Sequence, residues 1–220
     1  MRYLRKILMF LFIIMIFFTA NSSMVFANKA NLYNDIIDIS SGSIIESGIR
    51  IKIENNKGNQ YIVNNILEEI IKIDNSEEFY YEDNYIGFKG HNIYGFIDCT
   101  SKEGNITVEI AYKNEKSYIE SLKAMAMNII KNKTQNMVIF EYIKVSLPEN
   151  TDLENLNTEI GNDFKLKRYS KIDSIKLNNG YSSIVNMNAE KSKESINYAL
   201  CKYNSGKYLI IGTPEIVIPY

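Results

Sequence analysis

The chain has 220 residues, 45% of them hydrophobic, with 25 Lys and Arg against 26 Asp and Glu. That near-neutral balance, with no basic run beyond Lys165-Leu166-Lys167-Arg168, argues against the clustered positive footprint that nucleic-acid binding needs. His91 is the one histidine, which excludes paired-histidine zinc motifs such as H-E-x-x-H.

Arg2, Arg5 and Lys6 open the chain, an apolar run from Ile7 to Phe18 follows, and a polar patch at Asn21 to Ser23 leads to Val25-Phe26-Ala27. A positive start, an apolar stretch and small residues before a cut make the layout of a secretory signal peptide over residues 1–27, with cleavage between Ala27 and Asn28. The apolar run is about a dozen residues, short of the roughly 20 that span a bilayer, so an uncleaved anchor is the alternative. The expectation is an exported protein, secreted or envelope-associated, that meets the membrane only through this segment. Removing 27 of 220 residues leaves 193, a length suited to a single mature domain over 28–220. The segment carries three basic and no acidic residues. The mature chain thus has 22 basic against 26 acidic residues, a net charge near −4.

The mature chain opens with an expected helix at about 31–40, then a Ser/Gly break at Ser40 to Ser43. Ile49, Ile51 and Ile53 alternate with Arg50, Lys52 and Glu54, the period of a half-buried strand. Ile62, Ile66, Ile70 and Ile73 then fall on one helical stripe. Four short strands are expected at 78–82, 85–89, 92–99 and 105–112, separated by Asp83-Asn84, Gly90-His91 and 102–104. A helix over 115–131 follows, its stripe made of Ile119, Leu122, Ala126, Ile129 and Ile130.

A strand over 137–147 ends at Pro148. Thr151 and Glu154 read as a capping box for a helix running to about Asn162. Further strands are expected at 165–169, 172–177, 195–203 and 207–211, the last two joined by a hairpin turn at Asn204-Ser205-Gly206. The element order is β-α-β-β-β-β-α and then β-α-β-β-β-β, with half-repeats at about 48–132 and 136–213. This predicts an α+β fold of antiparallel sheet with the helices on one face.

The last stretch, Asn197 to Tyr220, reads NYALCKYNSGKYLIIGTPEIVIPY. It resembles the C-terminus of the YwmB family, exported proteins of spore-forming Gram-positive bacteria. There two apolar strands lead into a Gly-Thr-Pro-Ile tail ending in Tyr. Gly212-Thr213-Pro214 and Tyr220 match, with Glu215 inserted before Ile216. The resemblance implies a fold like the TATA-box-binding protein and, from the setting of the family's genes, a link to the cell wall or sporulation. It carries over no functional residues. A DNA-binding role does not follow from that fold, because a minor-groove binder sets basic residues beside its apolar wedges and this mature chain is acidic and routed outward.

Chemistry-bearing patterns are few. His91 follows Gly90 in an expected turn and reads as exposed. No Ser-x-x-Lys pair, P-loop, G-x-G-x-x-G or EF-hand loop occurs. Acidic pairs stand at Glu68-Glu69, Glu77-Glu78 and Glu82-Asp83, and two carboxylates facing each other across a cleft could hydrolyse a glycan. Cys99 and Cys201 lie in apolar strand-like runs, where cysteine packs as a small hydrophobe, although an oxidising compartment permits a bridge. Neither a catalytic residue, a cofactor nor a metal site is expected.

One surface stands out. In the strand at 92–99, Ile93, Ile97 and Cys99 oppose Tyr94, Phe96 and Asp98; in 137–147, Ile139, Ile143 and Val145 oppose Phe140, Tyr142 and Lys144. With the aliphatic sides on the helices, Tyr94, Phe96, Phe140 and Tyr142 face the open side of the sheet. There they could stack on sugars or grip a peptide. The functional expectation is a non-catalytic binding or accessory protein at the envelope, its partner an envelope protein or wall polymer. The alternative is a carboxylate hydrolase acting on such a polymer.

Overall fold

In a computed structural model of the chain, described over residues 32–54, 59–73, 78–99, 105–113, 119–130, 137–167, 170–189 and 192–218, the long first strand takes the middle of a ten-stranded antiparallel sheet. The expected cleavage site at Ala27 and Asn28, and Tyr220, lie outside the described residues. Helix α1 (32–40) belongs, up to Ile39, to an N-terminal unit, and residues 40–220 form a second compact unit.

The second unit runs β1 (Ser43–Ile53), α2 (Asn59–Ile73), β2 (Glu78–Glu82), β3 (Tyr85–Lys89), β4 (Ile93–Asp98), β5 (Ile106–Tyr112) and α3 (Ile119–Ile130). It continues through β6 (Met137–Leu147), α4 (Leu153–Leu166), β7 (Ser170–Leu177), β8 (Gly180–Ala189), β9 (Ser192–Tyr203) and β10 (Gly206–Thr213). The strand order is β2-β3-β4-β5-β1-β6-β10-β9-β8-β7. Each hairpin chain of four strands folds back so that its last member lies beside a long central strand, and β1 and β6 pair with each other over most of their length.

Alternation along the strands decides what each face carries. Ile49, Ile51 and Ile53 on β1 stand beside Ile106, Val108 and Ile110 on β5 and Ile93 and Ile97 on β4, all fully buried. Val63, Ile66 and Ile70 of α2 and Leu122 and Ala126 of α3 close over them in one core cluster. Each such aliphatic side chain contributes about 1.5–3 kcal/mol by leaving water. Helix α4 buries Leu156, Ile160 and Phe164 on the same side of the sheet, over β7, β8 and β9. The Phe164 ring lies 6.0 Å from that of Tyr198. A small polar network lies at the rim there: the Tyr198 hydroxyl donates to Asn157 Oδ1 at 2.8 Å, and Ser183 Oγ donates to Ser174 Oγ at 3.0 Å. The exposed edges are blunted by charge, with Glu78 and Glu82 on β2 and Lys176 on β7, where the register also shifts between Lys171 and Asp173.

Three local expectations are corrected. The N-cap of α4 is Asp152, whose Oδ1 accepts from the amides of Glu154 at 2.9 Å and Asn155 at 3.1 Å, while the Thr151 amide donates to the Pro148 carbonyl. Residues 165–166, expected in a strand, are the last turn of α4, and Leu166, which suggested that strand, is 84% exposed. Strand β8, the third strand of this half in chain order, is not among the expected strands. Cys99 packs against the helix-side core and Cys201 lies on the other face, so the two are free thiols and cannot bridge.

Candidate binding face

The side of the sheet away from α2, α3 and α4 brings together the four aromatic residues singled out from the sequence. Two neighbouring rows cross β4, β5, β1 and β6 there. One reads Tyr94, Ala111, Gly48, Tyr142; the other reads Phe96, Glu109, Arg50, Phe140. The four aromatics stand at the ends of the rows, and the middles are filled by two small residues and by an ion pair.

In the first row the small residues make room for a meeting of the two tyrosines. Backbones of strands β4 and β6 are about 14 Å apart at ~4.8 Å per strand. Gly48 has no Cβ, and the Tyr142 ring lies in the space one would fill, its Cε1 and Cζ 2.5 Å from that position. The Tyr142 hydroxyl donates to Glu46 Oε1 at 3.1 Å. The Tyr94 hydroxyl is hydrogen-bonded within the same cluster, to Glu46 and Tyr142. Burial first, and then the nearby Glu46 carboxylate, hold both phenols well above their ordinary titration range.

In the second row Arg50 Nε donates to Glu109 Oε2 at 2.7 Å, and the guanidinium forms an ion pair with the same oxygen. Its Cζ lies 5.9 Å from the Phe96 centroid. The aromatic band continues outward from Phe96 to Tyr85 at 5.5 Å and from Tyr85 to Tyr80 at 6.3 Å. Tyr80 sits over Gly87, its partner across the β2–β3 ladder. Tyr80 is exposed and Tyr85, Tyr94 and Phe96 are half-buried, whereas Phe140 and Tyr142 are buried. The accessible part of the face is therefore its β2–β4 side.

Beyond the central rows this face is covered by the C-terminal tail. The carbonyl of Glu215 and Cα of Ile216 lie 2.9 and 3.0 Å from where a Cβ on Gly212 would stand, so the tail crosses directly over that glycine. Ile216 and Ile218 then pack on Ala199, Cys201 and Ile210. The Gly212-Thr213 stretch singled out in the sequence closes the second half of the sheet in this way. Burial raises the Cys201 thiol above its ordinary value.

Arg50, Glu109, Glu46, Lys52 and Lys113 belong to the face and were missed as members of it. The alternation of Arg50 and Lys52 with the β1 isoleucines was a sufficient signal for their side of the strand, but not for which strands flank β1. The acidic pairs do not join the face as pairs. Glu68 and Glu69 are on α2, where Glu69 bonds Lys72, and Glu82 and Asp83 are exposed at the β2–β3 turn. Glu77 lies outside the described residues. His91 is exposed in the bend before β4. Among the described residues no cluster of three or more His, Cys, Asp or Glu could hold a metal ion, and no helix is long and apolar enough to cross a membrane.

No family model matches the chain, and no curated protein matches it. Among solved structures it is similar to a crystal structure of a hydrolase from Listeria innocua, at 12% identity over 78% of this chain and 88% of that one, with a TM-score of 0.18. A likeness at that level carries no argument about activity.

Proposed function

We propose that this chain is an exported envelope protein of the YwmB type that binds its ligand without transforming it, and that its binding face is the open side of the sheet around Tyr85, Tyr94 and Phe96. The observation that carries the reading is the aromatic band from Tyr80 through Tyr85 to Phe96, held at its inner end by the Arg50–Glu109 pair. Aromatic rings held rigidly at a water interface favour carbohydrate and polymer contacts. The strand order, which repeats outward from the β1–β6 pair, supports a duplicated architecture like that of the TATA-box-binding protein. The signal-like layout of residues 1–27 supports export.

The test is co-sedimentation of the protein, expressed with its own N-terminal segment, with isolated cell-wall sacculi. The wild type pellets with the wall, and the Tyr85→Ala, Phe96→Ala double variant stays in solution while keeping its thermal transition. Equal pelleting of both proteins rejects this face as the binding surface.

A further inference from the structure

We infer that β2, the outer strand of the first half, is a docking edge for an extended segment of another protein, one with basic residues four positions apart around an apolar centre. The partner adds to the margin of the sheet as a further strand. It runs beside the open face and not over it, so this site does not depend on what the open face binds.

Strand β2 ends the strand order, so among the described strands one side of its backbone has no ladder partner. Such an edge is a template for strand addition, in which main-chain bonds give affinity and side chains give specificity. The five residues of β2 pair with β3 in unbroken register, from Glu78 opposite Lys89 to Glu82 opposite Tyr85. The other edge of the sheet, β7, has a register shift between Lys171 and Asp173, which interrupts such a template. Two adjacent tyrosines on β2 stand out into solvent, Tyr80 at 52% exposure and Tyr81 at 67%. Alternation places them on opposite sides of the strand. The Tyr80 ring lies 6.3 Å from that of Tyr85, and the Tyr81 ring 6.5 Å from that of Phe79. An added strand therefore gains apolar contact on both of its faces.

Charge selects the partner. Residues 74–83 carry five carboxylates, those of Asp74, Glu77, Glu78, Glu82 and Asp83, and no basic residue. The one cation on β3 is Lys89, opposite Glu78. With Lys89 counted, residues 74–89 have a net charge of −4, which is the whole net charge of the chain after its first 27 residues. The remaining 21 basic and 21 acidic residues balance. Among the described residues, Glu78 and Glu82 form no ion pair. They lie four residues apart on one side of β2 and flank Tyr80. A strand laid antiparallel along this edge sets its residues i and i+4 against the two carboxylates, where opposite charges attract and like charges repel. A second copy of β2 is disfavoured, because antiparallel pairing centred on Tyr80 puts Glu78 against Glu82 twice. The charge that guards the edge against its own kind thus favours a basic-ended strand.

The probe is a fluorescein-labelled peptide, Ser-Lys-Val-Thr-Val-Lys-Ser, titrated with the full-length protein and followed by anisotropy. The peptide binds, and its counterpart with both lysines changed to glutamate binds about tenfold more weakly or less. Methylation of the two valine amides abolishes binding, because the affinity comes from the backbone ladder. A Glu78→Gln, Glu82→Gln variant with an unchanged thermal transition binds the lysine and glutamate peptides alike. Equal affinity of the wild type for the two peptides overturns the inference, as does undiminished binding of the methylated peptide or binding of neither peptide. A wild-type dimer in sedimentation velocity that the lysine peptide dissociates also overturns it, because the edge then belongs to a second copy.

Discussion

Gly48 and Tyr142 stand directly opposite each other on β1 and β6, and the ring of one fills the space left by the missing side chain of the other. The ring is held by its hydroxyl bond to Glu46, so it cannot swing away without breaking that bond. Gly48→Ala should therefore overpack the centre of the sheet and cost about 1–3 kcal/mol of stability, read as a lower urea midpoint at unchanged slope. A midpoint within error of wild type would mean that the ring is free to move.

The Tyr142 phenol makes stability fall at alkaline pH. Its folded pKa is raised above the ordinary value of 10.0, so its contribution is fully present below pH 10 and is lost as pH rises past it, where the unfolded chain releases a proton that the folded chain keeps. Tyr142→Phe loses about 1.5 kcal/mol at neutral pH with the hydroxyl bond to Glu46. Above pH 10 its stability should decline less steeply than that of wild type, by about 1.4 kcal/mol per pH unit. Parallel curves for the two proteins between pH 10 and 11.5 would contradict the burial of this phenol.

On the opposite side of the sheet, Lys123 of α3 reaches Glu141 of β6 at 3.1 Å, with both side chains largely enclosed. Removing one partner leaves a charge in a poorly solvated place. Glu141→Ala should cost about 3 kcal/mol, whereas Glu120→Ala, which removes an exposed carboxylate 3.5 Å from the same lysine, should cost at most about 0.5 kcal/mol. Chemical denaturation of the two variants side by side measures the contrast.

The start of α4 distinguishes two neighbouring residues. Asp152→Ala removes the acceptor of two amide bonds and should lower stability by about 1 kcal/mol, while Thr151→Ala should change it by a few tenths. Equal losses would mean that Thr151 shares the cap.

Much of this architecture is written locally. The β1 isoleucines, the α2 stripe and the four strands from Glu78 to Tyr112 are each legible because polar and apolar residues alternate there at one clear period. The Tyr94 and Tyr142 side of the sheet is legible for the same reason. Strand β8 is not, because its alternation is inverted: Ser183 is buried, where the polar network of Asn157 and Ser174 receives it, and Ile184 is 42% exposed. Lys165-Leu166-Lys167 misleads in the opposite sense, since an exposed leucine at a helix end mimics a strand. The cap shifts by one residue because Thr151 and Asp152 are both good acceptors and only backbone geometry chooses between them. What no local pattern carries is neighbourhood. That β1 lies between β5 and β6 is fixed by long-range pairing, and with it the meeting of Glu46, Arg50 and Glu109 with the aromatic rows.

The central claim is that ligand meets the open face and not the helix side, and residue-resolved NMR of the full-length protein during titration with solubilised wall polymer tests it most directly. Perturbations should concentrate on Tyr85, Tyr94, Phe96 and Arg50, leaving Asn157 of α4 and Ser174 of β7 unmoved. Shifts centred on Asn157 and Ser174, with the aromatic rows unchanged, would contradict it.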